Sequence, residues 1–286
     1  MKSNKVYSYW LLLPALLIYG LLFLYPTIVS FFFGFTRWTL TDWDWIGLEN
    51  FRMFFEEPSL MIGFKNTFIF AFLTAGLKVV IGVFLAVVLT SKLRTKRFVR
   101  STIFFPVLVS TIAVGITFSV LMHPSEGLIN LALGLFGIDG PDWLGNPDLA
   151  IYSVALVDVW KGLGIATVIL IAGMMSIPRD YYEAIQIDGG NKWAAFRYIT
   201  LPLSRPAINT VILLALIGGL RTFDLVWAMT GGGPGFSSDL IASIIYKQYQ
   251  AGFYGLSTAG NVLLFLMVAI VVFPLFKFLN RKEVDL

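Results

Sequence analysis

The sequence predicts an all-α, polytopic membrane protein with six transmembrane helices, and two observations support this fold class. First, the 286 residues are 57% hydrophobic and only 13% charged, whereas about a quarter of the residues in a soluble domain are charged. Second, the apolar residues fall into six runs, and each run is long enough to cross a bilayer. We therefore expect residues 1–286 to form a single transmembrane domain without a separate soluble domain.

The predicted spans cover residues 10–35, 66–89, 103–121, 149–177, 208–229 and 254–276. The first run follows Lys2 and Lys5, as a signal peptide would, but it is too long for one and lacks a small-residue cleavage site. It is predicted to be an uncleaved span, kinked or bounded near Pro14 and Pro26. Residues 37–60 are predicted to form an acidic loop whose tryptophans lie near the membrane interface.

The positions of lysine and arginine predict the orientation of the chain. They concentrate at the N-terminus, in the run 92–100, in the segment 178–206 and at the C-terminus, while the intervening loops are acidic. Because basic residues mark the cytoplasmic side of a membrane protein, both termini and the segment 178–206 are predicted to be cytoplasmic.

Several classes of function are excluded by composition. The chain has no cysteine and a single histidine, His123, so neither a cysteine-ligated metal nor a histidine metal site is expected. No glycine-rich loop ends in Gly-Lys-Ser or Gly-Lys-Thr, and the Gly231-Gly232-Gly233-Pro234 turn lacks the lysine that an ATP site needs. No cluster of catalytic residues is present, so we predict that the chain is not an enzyme.

The polar segment 178–206 is predicted to form two helices separated by a glycine break. Pro178 fits a first helical turn, and Gly189-Gly190 should end that helix. Asn191 is a suitable N-cap for the next helix, whose Trp193, Phe196 and Ile199 form one apolar stripe before Pro202 and Pro206 turn the chain. Such a bent element has apolar surface to bury, and we expect it to dock on another protein.

The same segment resembles the cytoplasmic EAA loop of bacterial ABC-importer permeases. The resemblance rests on Glu183-Ala184, Asp188-Gly189, Phe196, Ile199, Leu201-Pro202 and Pro206, while Ile185 and Gly190 depart from the commonest pattern. It implies a type I ABC importer permease fold and a coupling helix that sits in a groove of an ATPase. The residues implied to couple to the ATPase are Tyr182, Glu183, Ala184, Asp188, Gly189 and Gly190. No cofactor is expected in this chain, because ATP and Mg would be hydrolysed by the partner ATPase subunits.

Charged residues inside predicted spans indicate a second region of interest. Asp158 and Lys161 lie three residues apart in the fourth span, as do Arg221 and Asp224 in the fifth, so each pair is expected on one helix face. Each pair either neutralises itself and holds helices together, or lines a polar path together with Trp160, Gly162, Thr222, Phe223 and Trp227. Lys78 in the second span snorkels to the interface or pairs with another span, and the sequence does not decide between these.

A further resemblance points to the carbohydrate branch of these importers, the maltose-type family. It rests on the Thr230-Gly231-Gly232-Gly233-Pro234 turn and on Trp45-Ile46-Gly47-Leu48-Glu49-Asn50-Phe51. It implies a sugar bound in mid-membrane by Gly162, Ile165, Gly218, Gly219 and Thr222, although Gly219 and Thr222 replace asparagines that are usual in the family. Taken with the charged pairs, the predicted substrate pathway comprises Trp160, Lys161, Gly162, Ile165, Gly218, Gly219, Arg221, Thr222 and Asp224.

These resemblances imply a permease subunit of an ATP-driven, binding-protein-dependent sugar importer in the bacterial cell membrane. The implied partners are a second homologous permease, two ATPase copies and an extracytoplasmic sugar-binding protein, and the expected substrate is an oligosaccharide. A permease for glycerol phosphate, a polyol or an acidic sugar is an alternative in the same class. A stand-alone secondary transporter is a remote alternative, because it would need repeats or coupling-ion sites that the sequence lacks.

Overall fold

The computed structural model describes residues 9–91 and 94–281, and these divide into two compact units. Of these described residues, 9–57 and 245–265 form the smaller unit, and 58–91, 94–244 and 266–281 form the larger one. Lys2, Lys5, Lys92 and Lys282, on which the predicted orientation partly depends, lie outside the described residues.

The smaller unit begins with one continuous helical segment, Trp10–Phe33. It consists of a 3-10 turn (Tyr9–Leu12), α1 (Leu13–Tyr19), a π-helical segment (Gly20–Leu24) and α2 (Tyr25–Phe33). Pro14 and Pro26 occupy the first turns of α1 and α2, and a proline lacks the amide N–H that would bond to the preceding helical turn. The two prolines therefore coincide with changes of helix type inside one segment.

A β-hairpin and a short helix occupy much of the segment that was predicted to be a loop. Strands β1 (Thr36–Trp38) and β2 (Trp43–Trp45) pair antiparallel, and α3 (Glu49–Glu56) follows. The buried Asn50 side chain donates hydrogen bonds to the carbonyls of Gly34 at 3.0 Å and Thr36 at 2.8 Å, which fixes α3 against the hairpin. The loop prediction for 37–60 was therefore wrong.

The larger unit is a helical bundle. Its elements are α4 (Pro58–Thr90), α5 (Lys96–Leu108), α6 (Thr111–Leu121), α7 (Leu128–Gly134), α8 (Ala150–Met175), α9 (Arg179–Ile187), α10 (Lys192–Ala195), a π-helical segment (Phe196–Thr200), α11 (Leu201–Leu203), α12 (Arg205–Leu220) and α13 (Asp224–Met229). Helices α14 (Ile241–Gln250) and α15 (Tyr254–Asn280) follow in the chain. The centre of the bundle is the packing of α4, α8 and α12, where Leu89, Leu170 and Val211 are buried in one cluster.

Four helical segments of the described chain are long and apolar enough to cross a membrane, and counting two bent helix pairs as spans brings the number to six. The four are Trp10–Phe33, Pro58–Thr90, Ala150–Met175 and Tyr254–Asn280. One bent pair is α5 with α6, at 99°; the other joins Lys192–Leu203 to Arg205–Leu220, at 65°. The predicted all-α fold class is confirmed, with the small hairpin as an addition.

Two predicted spans are not single straight helices. The third, 103–121, is broken between α5 and α6 at Val109 and Ser110, whose backbones are extended, shortly after Pro106. A proline inside a helix removes one backbone hydrogen bond and weakens the turn around it. The fifth, 208–229, is broken between α12 and α13. The second span also begins earlier than predicted, at Pro58.

Candidate functional site

A cavity of about 290 Å³ lies where α12 gives way to α13, and we call it the charged cavity. Its lining residues are Val107, Thr111, Asp158, Lys161, Gly162, Ile165, Arg221, Thr222, Phe223, Asp224 and Leu225. Two-thirds of the predicted pathway residues are in this set, contributed by α8 and by the break between α12 and α13. Val107, Thr111 and Leu225 were not predicted as site residues, because nothing in their local sequence pattern sets them apart from other residues of apolar spans.

The break that opens this cavity spans Arg221, Thr222 and Phe223, which lie between α12 and α13. Helix α12 ends at Leu220; Arg221 and Phe223 leave the helical region, and Asp224 begins α13. Arg221 and Asp224 therefore belong to different helical segments, and the expectation that they share one helix face was wrong. Both residues are exposed, and no hydrogen bond or ion pair joins their side chains in the described part of the chain.

Asp158 has an ion-pair partner, but the partner is not Lys161. The Lys78 Nζ atom of α4 lies 2.6 Å from the Asp158 Oδ2 atom of α8, with 9% and 18% of the two side chains exposed. The alternative in which Asp158 and Lys161 neutralise each other was therefore wrong, and the open question about Lys78 is answered by pairing across two helices. A charged side chain is costly in an apolar bundle unless it is paired, which explains why these two meet.

Gly162 makes that ion pair possible by leaving space for the lysine. A Cβ atom at position 162 would lie 2.6 Å from Cε and 3.0 Å from Nζ of Lys78, closer than side chains normally approach. Gly162 follows Asp158 by four residues, which is about one helical turn, so the lysine stem crosses α8 over the glycine to reach the carboxylate. In this structure Gly162 therefore has a packing role in addition to its position on the cavity wall.

The charged cavity contains an excess of positive charge. Asp158 is compensated by Lys78, which leaves Lys161, Arg221 and Asp224. None of these three side chains makes a hydrogen bond or ion pair with any residue that the structure describes, so their polar atoms are available to a solute. The Phe223 ring, stacked on Trp227 at 5.7 Å, adds an aromatic surface beside them. Charged groups next to an aromatic ring suit a solute that carries many hydroxyl groups.

Three predicted pathway residues lie outside the lining of the charged cavity. The Trp160 ring packs at 5.2 Å from the Phe118 ring and is 43% exposed. Gly219 is buried, and a Cβ atom there would come within 2.7 Å of Ala71 Cα, so this glycine permits close packing of α12 on α4. Gly218 is open, and a Cβ atom there would meet no neighbouring helix within 4 Å. Their assignment to the pathway remains a prediction.

The segment 178–206 has the helix, glycine break and helix that its sequence indicates. Helix α9 is followed by Gly189 with a φ of +77°, a left-handed conformation that favours glycine. The Asn191 side chain then accepts a hydrogen bond from the Ala194 amide at 2.9 Å and caps α10. The chain bends by 65° at Ser204, with Pro206 in the first turn of α12.

Several apolar side chains of this segment are exposed. Ile187 is 87% exposed, and Tyr181, Trp193 and Tyr198 are also exposed. Glu183, Ala184, Asp188 and Gly189, from the predicted coupling set, are exposed as well. The predicted residues Tyr182 and Gly190 are only partly exposed, and the Tyr182 hydroxyl lies 3.0 Å from Thr200 Oγ1, which holds α9 against the segment that follows.

The glycine-rich turn after α13 is fixed by buried polar groups. The Asn66 amide of α4 donates to the carbonyls of Ser237 at 2.9 Å and Asp239 at 3.0 Å, and the Ser243 hydroxyl donates to the Asp239 carboxylate at 2.7 Å. Asp239 is fully buried. These contacts tie the turn to α4, which is a structural role for one of the motifs that carries the carbohydrate-branch resemblance.

Comparisons with known proteins agree with this architecture. The trehalose/maltose transport system permease protein MalF of Thermococcus litoralis is 30% identical over 91% of this chain and 89% of its own length. The sn-glycerol-3-phosphate transport system permease protein UgpA of Pectobacterium atrosepticum is 32% identical, over 96% and 94%. A chain in the crystal structure of a bacterial alginate ABC transporter, in complex with an alginate pentasaccharide-bound periplasmic protein, superposes with a TM-score of 0.80. That chain is 25% identical, and the match covers 95% of this chain and 92% of that one.

The chain also matches the model of a whole protein family. The model of the family described as the binding-protein-dependent transport system inner membrane component matches residues 78–284, a region that contains both the charged cavity and the segment 178–206. The structural neighbour has the type I ABC importer permease fold, as the EAA-like loop implied. The chain therefore belongs to the family of inner membrane components of binding-protein-dependent transport systems.

Proposed function

We propose that this chain is a permease subunit of an ATP-driven, binding-protein-dependent importer that carries a sugar, with a neutral oligosaccharide as the preferred substrate class. As a member of a family of transport subunits it is not an enzyme. The single observation that carries the proposal is the charged cavity, because it places unpaired polar groups between otherwise apolar spans. The similarity to a trehalose/maltose permease supports a sugar as the solute.

The proposed partners follow from the family and from the exposed face of α9. An extracytoplasmic binding protein would deliver the sugar, and a second homologous permease would form the other half of the pathway. Two ATPase copies would hydrolyse ATP with Mg and receive α9 in a groove. Ile187 at 87% exposure, close to the left-handed Gly189, gives this helix an apolar surface suited to such docking. We place the chain in a bacterial cell membrane, with both termini and α9 on the cytoplasmic side.

Coupling would be mechanical under this proposal. Helix α9 is joined to α12 by the short helices α10 and α11 and by the bend at Ser204, so a displacement of α9 would be passed to α12. The far end of α12 forms the wall of the charged cavity at Arg221. One helix therefore links the proposed ATPase contact to the proposed sugar path.

A second candidate is import of an anionic solute such as glycerol phosphate or an acidic sugar. It is favoured by the charge of the cavity, where Lys161 and Arg221 outnumber the single uncompensated carboxylate of Asp224. The 32% identity to a glycerol-3-phosphate permease supports the same candidate. We prefer the neutral sugar because Asp224 lies among the cations and would repel an anion.

The test is ATP-dependent uptake by the assembled importer in proteoliposomes, with trehalose and sn-glycerol 3-phosphate as competing solutes. We compare Arg221→Leu, Asp224→Leu and the double variant. For a neutral sugar we expect all three variants to assemble and to lose most uptake, since each removes a hydrogen-bonding group from the cavity. If Asp224→Leu instead improves competition by glycerol phosphate while Arg221→Leu abolishes it, the anionic solute is the correct substrate class. Full transport of sugar by the double variant would remove both residues from the site.

A further inference from the structure

A second, larger cavity lies at the end of the bundle beside α9, apart from the proposed pathway, and only Tyr182 and Gly190 of the predicted coupling residues line it. It has a volume of about 980 Å³ and is bounded by the C-terminal ends of α4 and α8, the N-terminal half of α5 and the segment from α9 to the π-helical residues. We call it the basic cavity. Its size is that of a typical small-molecule site.

The charges around the basic cavity all have one sign. Lys96 and Arg100 of α5, Arg179 of α9 and Lys192 of α10 line it, and no aspartate or glutamate is among its described lining residues. Thr90 and Ser91 add hydroxyl groups at the end of α4. Positive groups and hydroxyls around one volume, without a compensating carboxylate, are the donor set that an oxyanion needs.

Arg100 carries an unused hydrogen-bond donor inside this wall. One of its terminal nitrogens donates to the Leu89 carbonyl at 3.0 Å, which holds the guanidinium in place. Its Nε atom is buried and has no hydrogen-bond partner within the described residues. The charge of Arg100 is therefore fixed at the cavity wall, and its Nε donor would gain a partner only if a ligand oxygen reached it.

Two opposite faces of α9 differ in their surroundings: one lines the basic cavity, and the other is exposed. Arg179, Tyr182 and Gln186 line the basic cavity, and their spacing of three and four residues puts them on one helix face. Tyr181, Ala184 and Asp188 lie on the opposite face and are exposed. A ligand in the basic cavity would therefore contact α9 from behind, leaving the exposed face free.

We propose that the basic cavity binds the phosphate group of a ligand that carries no positive charge of its own. Arginine and lysine together match the several oxygens and the charge of phosphate. The floor of the cavity, which includes Val87, Met174 and Phe196, is apolar and can accept the non-phosphate part of an amphiphile. The phosphate group can belong to an anionic phospholipid or to a soluble phosphate compound, and both share this chemistry.

The test is protection of a single cysteine in the detergent-purified, assembled transporter. Ser91→Cys places a thiol on the cavity wall, and the chain has no native cysteine to react with a maleimide. The probes are inorganic phosphate, dihexanoyl phosphatidylglycerol and, as a zwitterionic control of equal chain length, dihexanoyl phosphatidylcholine. We expect phosphatidylglycerol to slow labelling at lower concentrations than phosphatidylcholine. Protection by inorganic phosphate as well would indicate a soluble source, and protection by phosphatidylglycerol alone would indicate the lipid.

A matched pair of variants distinguishes a specific cavity from general attraction to basic residues. Lys96→Gln with Lys192→Gln removes two cavity charges from exposed side chains that make no hydrogen bond or ion pair within the described residues. Arg94→Gln with Arg97→Gln removes two exposed charges that do not line the cavity. The cavity pair should raise the concentration needed for half protection by about tenfold or more, with little change for the control pair. The proposal is overturned if neither anion protects, if phosphatidylcholine protects equally, or if both pairs weaken protection equally.

Discussion

The ion pair between Lys78 and Asp158 leads to a quantitative prediction about the stability of the bundle. Replacing Asp158 with leucine removes the negative partner and leaves the Lys78 ammonium, whose side chain is only 9% exposed, without its carboxylate. Breaking a buried pair in this way costs about 3–5 kcal/mol, since one charge stays buried and uncompensated. Because the Asp158 side chain is 18% exposed, we expect the loss in the free energy of unfolding to lie at the lower end, near about 3 kcal/mol.

The assay is reversible unfolding in mixed micelles, arranged as a double-mutant cycle. Lys78→Met and Asp158→Leu together should destabilise the protein less than either single variant, because the double variant leaves no unpaired charge. Lys161→Gln is the matched control, a cation on the same helix as Asp158 with no partner in the described chain. Its coupling to Asp158 should be below about 0.5 kcal/mol. Strong coupling of Asp158 to Lys161, with no coupling of Asp158 to Lys78, would refute the assignment of this ion pair.

Two further predictions concern glycines, each with a matched control. Gly189→Trp should leave membrane insertion intact but reduce co-purification of the ATPase and abolish uptake, whereas Gly137→Trp, at a similar φ of +72° with equally open space, should do neither. Normal uptake in the Gly189 variant would argue against a coupling role. Gly162→Ala should destabilise the bundle by about 1–3 kcal/mol, because its Cβ would lie 2.6 Å from Lys78 Cε. Position 218 has open space, so Gly218→Ala should be tolerated. Equal thermal stabilities of Gly162→Ala and Gly218→Ala would contradict the packing role of Gly162.

Sequence patterns located the helices well but not their bends. Long apolar runs identified α8 and α15 because the length and hydropathy of a span are properties of the local sequence. The third predicted span stays apolar through its break, since Val109 and most of its neighbours are apolar, whereas the break of the fifth falls among Arg221, Thr222 and Asp224. Pro106 and the charged residues stand in the sequence beside these breaks, but hydropathy averaged over a whole span does not register them.

The pairing of the charged side chains was also not predictable from local sequence patterns. A spacing of three residues suggested the pair Asp158 and Lys161, but the true partner, Lys78, is 80 residues away in the sequence. Local spacing cannot reveal a contact between two helices, nor that Gly162 provides the space for it. The segment 178–206 was predicted more closely, because its glycine break and its Asn191 cap are local features.

The central claim is that the charged cavity is part of the sugar path, and labelling of Thr222→Cys tests it most directly. Thr222 lines the cavity, and its hydroxyl bonds only to the Gly218 carbonyl at 2.9 Å within the described chain. In the assembled importer we expect a maleimide to react with this cysteine in at least one nucleotide state, and the transported sugar to slow the reaction. Thr74→Cys, at a fully buried position on α4, should not react. If Thr222→Cys never reacts, or reacts equally with and without sugar, the cavity is not part of the path.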